Sequence, residues 1–229
     1  VKYGNTHIRA FADVDSKARL EGVKGVIRGR EEYKDRLDIQ VVAFPQDGVA
    51  REPGAKELIK DALKKAKVKG RIEMVKVSDD FTLMIDYAHN AMSLESLLTT
   101  LKEYHPKRLV CLFGCGGNRS RDRRFEMGEV SGRLADLTII TSDNPRFEEP
   151  QAIIDDIKTG IGRTNGKYVE ICDRKEAIKY AISHGEVGDV IVLAGKGHED
   201  YQEIKGKKYP MDERVLIREI LEEDAKKKA

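Results

Sequence analysis

Short apolar runs alternate with amphipathic stretches along most of the chain, and this alternation limits the possible folds more than any other feature. From Arg71, RIEMVKV and FTLMIDY read as strands, SLESLLTTLKEY as a helix, RLVCLF as a strand, FEMGEVSGRLA as a helix, LTIITS as a strand and QAIIDDIKTGI as a helix. YVEICD, RKEAIKYAISH and DVIVLAG continue the rhythm, and a final helix runs from Asp212 to about Glu222. Strands joined through single helices need right-handed crossovers, so the pattern predicts an α/β fold with a mainly parallel sheet covered by helices on both faces.

The first third reads as strand HIRAFADV, helix KARLEGVKGVIRGREEY, strand DIQVVAFP and helix AKELIKDALKKA, a βαβα unit. The most polar stretch between periodic blocks is KKAKVKG, residues 64–70, and its glycine suits a helix C-cap. This places a boundary between residues 1–67 and residues 68–229. The second part is expected to be Rossmann-like, and the EEDAKKKA tail a frayed helix end.

Composition excludes several classes of function. Forty-two basic against forty acidic side chains give a formal charge of +2, with no basic stripe and no interleaved aromatics, which argues against nucleic acid as a partner. No apolar run approaches the ~18 residues of a membrane span and no signal-like segment opens the chain, so a cytoplasmic protein is expected. Cys111, Cys115 and Cys172 fit buried thiols of a reducing compartment. They lack the companions of a four-ligand zinc site, and no metal is expected.

Glycines and polar residues gather just after predicted strands: DYAHNAMS after Ile85, FGCGGNRSRDRR after Val110, TSDNPR after Ile140 and AGKGHED after Leu193. In doubly wound sheets the carboxyl ends of the strands carry the ligand crevice, because loops converge there and helix N-termini aim their amides into it. The four clusters are expected to meet in space. Taken singly each has an ordinary structural explanation: Asp143-Asn144-Pro145 makes a good turn, and the glycines suit a tight strand-to-helix connection.

Together, DYAHN (86–90), FGCGGNR (113–119), Arg123-Arg124, DNPR (143–146) and GKGHE (195–199) resemble, in order and spacing, the C-terminal domain of Mur ligases over residues 68 to about 222. DNPR is the variant of the enzymes that attach meso-diaminopimelate. The resemblance implies that Arg124, Asn144 and Arg146 hold the carboxylates of the incoming amino acid while Gly195 and Glu199 read its far end, with Asp143 also on the substrate side. Guanidinium forks suit carboxylates, and a glutamate can accept from the distal ammonium. It also implies that Asp86, His89, Asn118 and Arg119 face the nucleotide. GGNRS replaces the commoner GGDRD, and HNA the commoner HNP.

No G-x-x-x-x-G-K-[ST] occurs in the sequence; GIGRTNGKY has the wrong glycine spacing and a Tyr after its Lys. The parent family uses ATP and magnesium, so the expectation is that neither cofactor is retained and no catalytic residue is assigned. Upstream, residues 6–54 are similar to an internal segment of the cytosine deaminase branch of the amidohydrolases, with VAFPQDG the specific part and Gln46 the pyrimidine-reading position. Those enzymes are (β/α)8 barrels, of which 65 residues are about a quarter. The H-x-H and later metal ligands of that family are missing, and His7 and Arg9, alternating with Ile8, read as ordinary strand residues. Two families joined within domains, and a start at Val1, suggest a recombined chimera. Weak meso-diaminopimelate binding and self-association through the first third are expected of it. The competing expectation is an ATP-dependent amide ligase subunit that needs a separate ATP-binding chain.

Overall fold

The structure is a computed structural model and describes residues 7–13, 20–32, 38–44 and 70–228. The chain divides into two compact units, Val1–Lys67 and Val68–Ala229. In the first, β1 (His7–Asp13) and β2 (Asp38–Phe44) pair in parallel with Ile8 opposite Ile39, and α1 (Glu21–Glu32) lies between them in the chain. Glu21 in the first turn of α1 and Arg30 in the last complement the helix dipole, while Val23 is buried. The helix expected over residues 55–66, and Gln46, lie outside the described residues.

The second unit is the α/β sheet that the alternation predicts. Its elements are β3 (Glu73–Val75), β4 (Thr82–Asp86), α2 (Ala91–Lys102), β5 (Arg108–Phe113), α3 (Asp122–Leu134), β6 (Leu137–Ile140), α4 (Pro150–Ile161) and β7 (Tyr168–Glu170). α5 (Arg174–Ser183), β8 (Asp189–Ala194), β9 (Tyr201–Ile204), β10 (Lys207–Pro210) and α6 (Glu213–Lys228) follow. The six-stranded sheet runs β3-β4-β8-β5-β6-β7, parallel except for β3. β3 departs from the parallel expectation because only residues 76–81 connect it to β4, too few for a crossover.

The continuous apolar run RLVCLF is explained by burial on both faces. Leu109, Cys111 and Phe113 pack with Leu94, Leu98, Met127, Ile154 and Ile157 of α2, α3 and α4, while Val110 and Leu112 pack with Ile178, Ile217 and Ile220 of α5 and α6. Each such side chain contributes roughly 1.5–3 kcal/mol when fully buried. α2 shows the local logic clearly. Leu94, Leu97, Leu98 and Leu101 fall at the i, i+3, i+4, i+7 spacing of one face, and Asn90 caps the start by accepting from the Ser93 amide at 2.9 Å.

Two features depart from the sequence reading. A β9–β10 hairpin, closed by Lys205 and Gly206 at positive φ, follows β8 where none was expected, and α6 continues to Lys228. Cys111 and Cys115 are buried free thiols, each pushed up to about 12 by burial, whereas Cys172 is exposed rather than buried. No helix of the described residues is long and apolar enough to cross a membrane.

Candidate functional site

β4, β8, β5 and β6 are neighbours in the sheet, so the loops at their carboxyl ends stand side by side, with about 4.8 Å between adjacent strands. The GKGHE loop after β8 thus lies between DYAHN after β4 and FGCGGNR after β5, with DNPR next along the edge. Specific bonds join all four. Tyr87 Oη donates to Glu199 Oε1 at 3.3 Å, and the Gly195 amide to the Asp86 carbonyl at 3.0 Å. Asn144 Nδ2 donates to Glu199 Oε2 at 3.0 Å, and Arg146 Nη1 to the Gly117 carbonyl at 2.7 Å. The Gly117 amide returns to the Asn144 carbonyl at 2.8 Å. This closeness requires glycine, since a Cβ at position 117 would stand 1.9 Å from the Pro145 carbonyl oxygen.

The centre of the cluster is a residue that the sequence reading passed over. Lys196 is fully buried between Gly195 (φ +107°) and Gly197 (φ +51°), two conformations that non-glycine side chains rarely adopt. Its Nζ donates to Glu199 Oε2 at 2.8 Å, Asn144 Oδ1 at 3.0 Å and the Tyr201 carbonyl at 2.5 Å, with Asp143 Oδ1 at 3.7 Å. Partial burial by itself would raise the Glu199 carboxyl. The bond and charge of Lys196, with help from Asn144 and Tyr87, outweigh that and hold it below the ordinary glutamate value. Tyr87 is pushed up by burial and by the Glu199 charge, so it stays a neutral donor.

Arg146, itself at φ 53°, is locked between the glycine loop and the hairpin. Its amide donates to the Glu203 carbonyl at 3.0 Å, its Nε to Glu203 Oε2 at 3.1 Å, and its carbonyl accepts from Lys205 at 2.6 Å. Two of the guanidinium nitrogens are therefore held, while among the described residues Nη2 donates to no protein group. Gln202 adds a bond to the Asp143 carbonyl at 2.7 Å, so the hairpin is sewn onto DNPR. Beneath these loops, buried Arg174 reaches the Ser142 and Ala194 carbonyls and pairs with fully buried Glu213 at 2.8 Å.

Arg124 occupies a different setting from Arg146. It is 2% exposed, its Nη2 donates to both Glu148 oxygens at 2.8 Å and its Nη1 to Asp156 at 3.0 Å. Its Nε is buried and has no partner among the described residues. Glu148 also accepts from the Asn118 amide, and that bond, ahead of Arg124, keeps the carboxyl below its ordinary value. Asp156 is likewise held low, first by Arg121 and then by Arg124. Both terminal nitrogens of Arg124 are thus taken by the protein's own carboxylates, and among the described residues it does not reach the Asn144–Arg146–Glu199 cluster by any direct bond.

On the β4 side the implied nucleotide-facing residues are held mainly through backbone. Asp86 accepts from the Ile72 and Ala88 amides, both at 2.8 Å, so each carboxylate oxygen is engaged. The His89 Nδ1 lies 2.8 Å from the Tyr87 carbonyl, which makes Nδ1 the donor and leaves Nε2 as the outward nitrogen. Asn118 (φ 53°) accepts from the Phe147 amide at 3.2 Å, and Arg119 is exposed next to it.

A mainly parallel sheet with a switch in strand order, and with carboxylate- and guanidinium-bearing loops gathered at its carboxyl edge, defines a doubly wound α/β domain. The family model for the Mur ligase, glutamate ligase domain matches residues 70–197, and the chain belongs to that family. It is 49% identical over 168 residues to the UDP-N-acetylmuramoyl-L-alanyl-D-glutamate–2,6-diaminopimelate ligase of Caldanaerobacter subterraneus subsp. tengcongensis, covering 73% of this chain and 35% of that one. The ligase of the same name from Clostridium tetani is 40% identical over 213 residues, 92% of this chain and 42% of the relative. That alignment is longer than the second unit, so the likeness extends into residues 1–67, where the sequence reading placed an amidohydrolase segment. A solved UDP-N-acetylmuramoyl-L-alanyl-D-glutamate–2,6-diaminopimelate ligase superposes with a TM-score of 0.66 at 27% identity, over 95% of this chain and 53% of that one. The chain spans well under half the length of these curated relatives.

Proposed function

We propose that the second unit is the amino-acid-receiving domain of a ligase that joins meso-diaminopimelate to a peptidoglycan precursor. The observation that carries this is the convergence of Asn144, Arg146 and Glu199, with Arg146 Nη2 bonded to no protein group among the described residues and Glu199 Oε1 held only by the long 3.3 Å bond from Tyr87. A guanidinium and a carboxylate held in one crevice match the paired carboxylate and ammonium of an amino-acid stereocentre. The names of the relatives, 2,6-diaminopimelate ligases, supply the substrate class. In this reading Asp143, with Gln202 on its carbonyl, fixes the DNPR turn. Arg124 meets a ligand carboxylate only once Glu148 has moved aside.

When bound, the ATP and magnesium used by the family would supply the activation of a carboxylate for amide formation. The residues proposed to face the nucleotide fit as a rim: His89 Nε2 and Arg119 point outward as polar groups, while Asp86 and Asn118 serve by shaping their loops. Neither is assigned a proton transfer. Nuclear magnetic resonance titration with meso-diaminopimelate and with lysine, repeated on Arg146→Ala, tests the proposal. Diaminopimelate should bind more tightly than lysine, because lysine lacks the second carboxylate, and Arg146→Ala should erase the difference. Equal shifts with both ligands, or no effect of the substitution, would overturn it.

For residues 1–67 we retain as a proposal that a (β/α)8-type segment was joined to this domain. VAFPQDG and the parallel β1–α1–β2 unit support it; the 92% alignment with the Clostridium tetani ligase supports a continuous ligase chain instead. The sequence of the gene upstream of codon 1 decides between them.

A further inference from the structure

Two carboxylates, Asp143 and Glu199, face the single ammonium of Lys196, while Glu203 is paired with Arg146 and Glu213 with Arg174. All three Lys196 protons are committed, to Glu199 Oε2, Asn144 Oδ1 and the Tyr201 carbonyl. Since Oε2 also accepts from Asn144, the plane of the Glu199 carboxylate is fixed and Oε1 is the oxygen turned toward Tyr87 and the crevice.

We propose that Lys196 is the positioning residue of the site: by bridging Glu199 and Asn144 it aims Glu199 Oε1 at the distal ammonium of the incoming amino acid. The proposal rests on the diaminopimelate reading for the nature of the ligand, and on the bonds of Lys196 for the rest. A buried lysine could instead serve stability alone. The two roles differ in what they do to specificity. A positioning lysine affects ligands that carry the distal ammonium, whereas a purely structural one affects all ligands of the crevice alike.

The experiment uses the full chain and two ligands, meso-diaminopimelate and 2-aminopimelate, which keeps both carboxylates and lacks the distal amine. The wild type should prefer diaminopimelate. Lys196→Met should lower diaminopimelate affinity about tenfold or more and leave 2-aminopimelate within about twofold, a loss of about 1.4 kcal/mol confined to one ligand. Equal losses for both ligands, or none, overturn the proposal. A ligand-free readout runs beside it and is decided on the wild type, so it does not depend on the variant folding. The Glu199 carboxyl carbon should titrate with a midpoint below the ordinary glutamate value in the wild type and with a higher midpoint in Lys196→Met. An ordinary midpoint in the wild type overturns the positioning role even if diaminopimelate binds. Failure of the wild type to bind either ligand would sink the functional reading, and the Glu199 midpoint would then decide the positioning role by itself.

Discussion

The two ends of the crevice are built by different means. Around β6 and β8, charged side chains fix one another: Lys196, Glu199, Asn144, Arg146, Glu203 and, beneath them, Arg174 with Glu213. Around β4, Asp86 takes two backbone amides and His89 leans on a backbone carbonyl, so the loop is shaped with almost no side-chain charge pairing. The difference teaches where recognition can be strict. Buried charges that satisfy one another tolerate little substitution, because each removed partner orphans another buried group. A turn closed by amide bonds can present different rim residues at small cost.

The most severe test of this contrast is Arg174→Met. It leaves Glu213 buried without its cation and frees the Ser142 and Ala194 carbonyls, and should destabilise the second unit by about 3–5 kcal/mol in urea unfolding. Adding Glu213→Leu should recover much of the loss, since an apolar pair replaces a stranded charge. On the other side, Asp86→Ala orphans the Ile72 and Ala88 amides and should cost about 2 kcal/mol in the same assay, with diaminopimelate preference unchanged. A larger loss for Asp86→Ala than for Arg174→Met would reverse the comparison.

The smallest effect is on pH dependence. Glu199, Glu148 and Asp156 are held below their ordinary values in the folded chain, so their stabilisation is complete above the unfolded-state values. It is lost as pH falls through the folded ones. Glu213 has the opposite sign, because burial pushes it up and acid relieves its cost. Thermal stability should therefore fall as pH drops below the ordinary carboxylate range, where Glu199, Glu148 and Asp156 protonate, and above that range any change should be a gain on acidification from Glu213. Glu199→Gln should flatten the fall, and an unchanged slope in that variant would show that the network contributes nothing through this residue.

Much of the fold could be read from the residues because strand and helix periods are local. The 94, 97, 98, 101 spacing in α2 and the apolar run of β5 each report their own burial. The β9–β10 hairpin was not legible in the same way. YQEI and KKYP are too polar to read as buried strands, and the Lys205-Gly206 turn carries a weaker signal than Asn-Gly. The motifs named Asn144, Arg146 and Glu199, and the structure brings those three together. It does not bring Arg124 to them, because the carboxylates that occupy it, Glu148 and Asp156, lie outside the motifs and 24 and 32 positions away. Lys196 was missed because a lysine between glycines reads as a solvated loop residue. Its burial arises only when the β6 loop and the hairpin close around it.

The placement of β8 has a consequence for how such a chain is made. β4 and β5, the two strands that β8 joins, have no hydrogen-bonded contact with each other and are both synthesised some seventy or more residues before the strand between them is complete. A chain emerging from the ribosome therefore carries two half-sheets that cannot be bridged until residues 189–194 are free. Until then β4 and β5 each expose an unpaired edge, the surface on which nascent chains associate wrongly. The translation rate between residues 113 and 194 thus sets how long those edges stay open. Chains released before residue 194 would have nothing to hold the loop after β4 in register with those after β5 and β6.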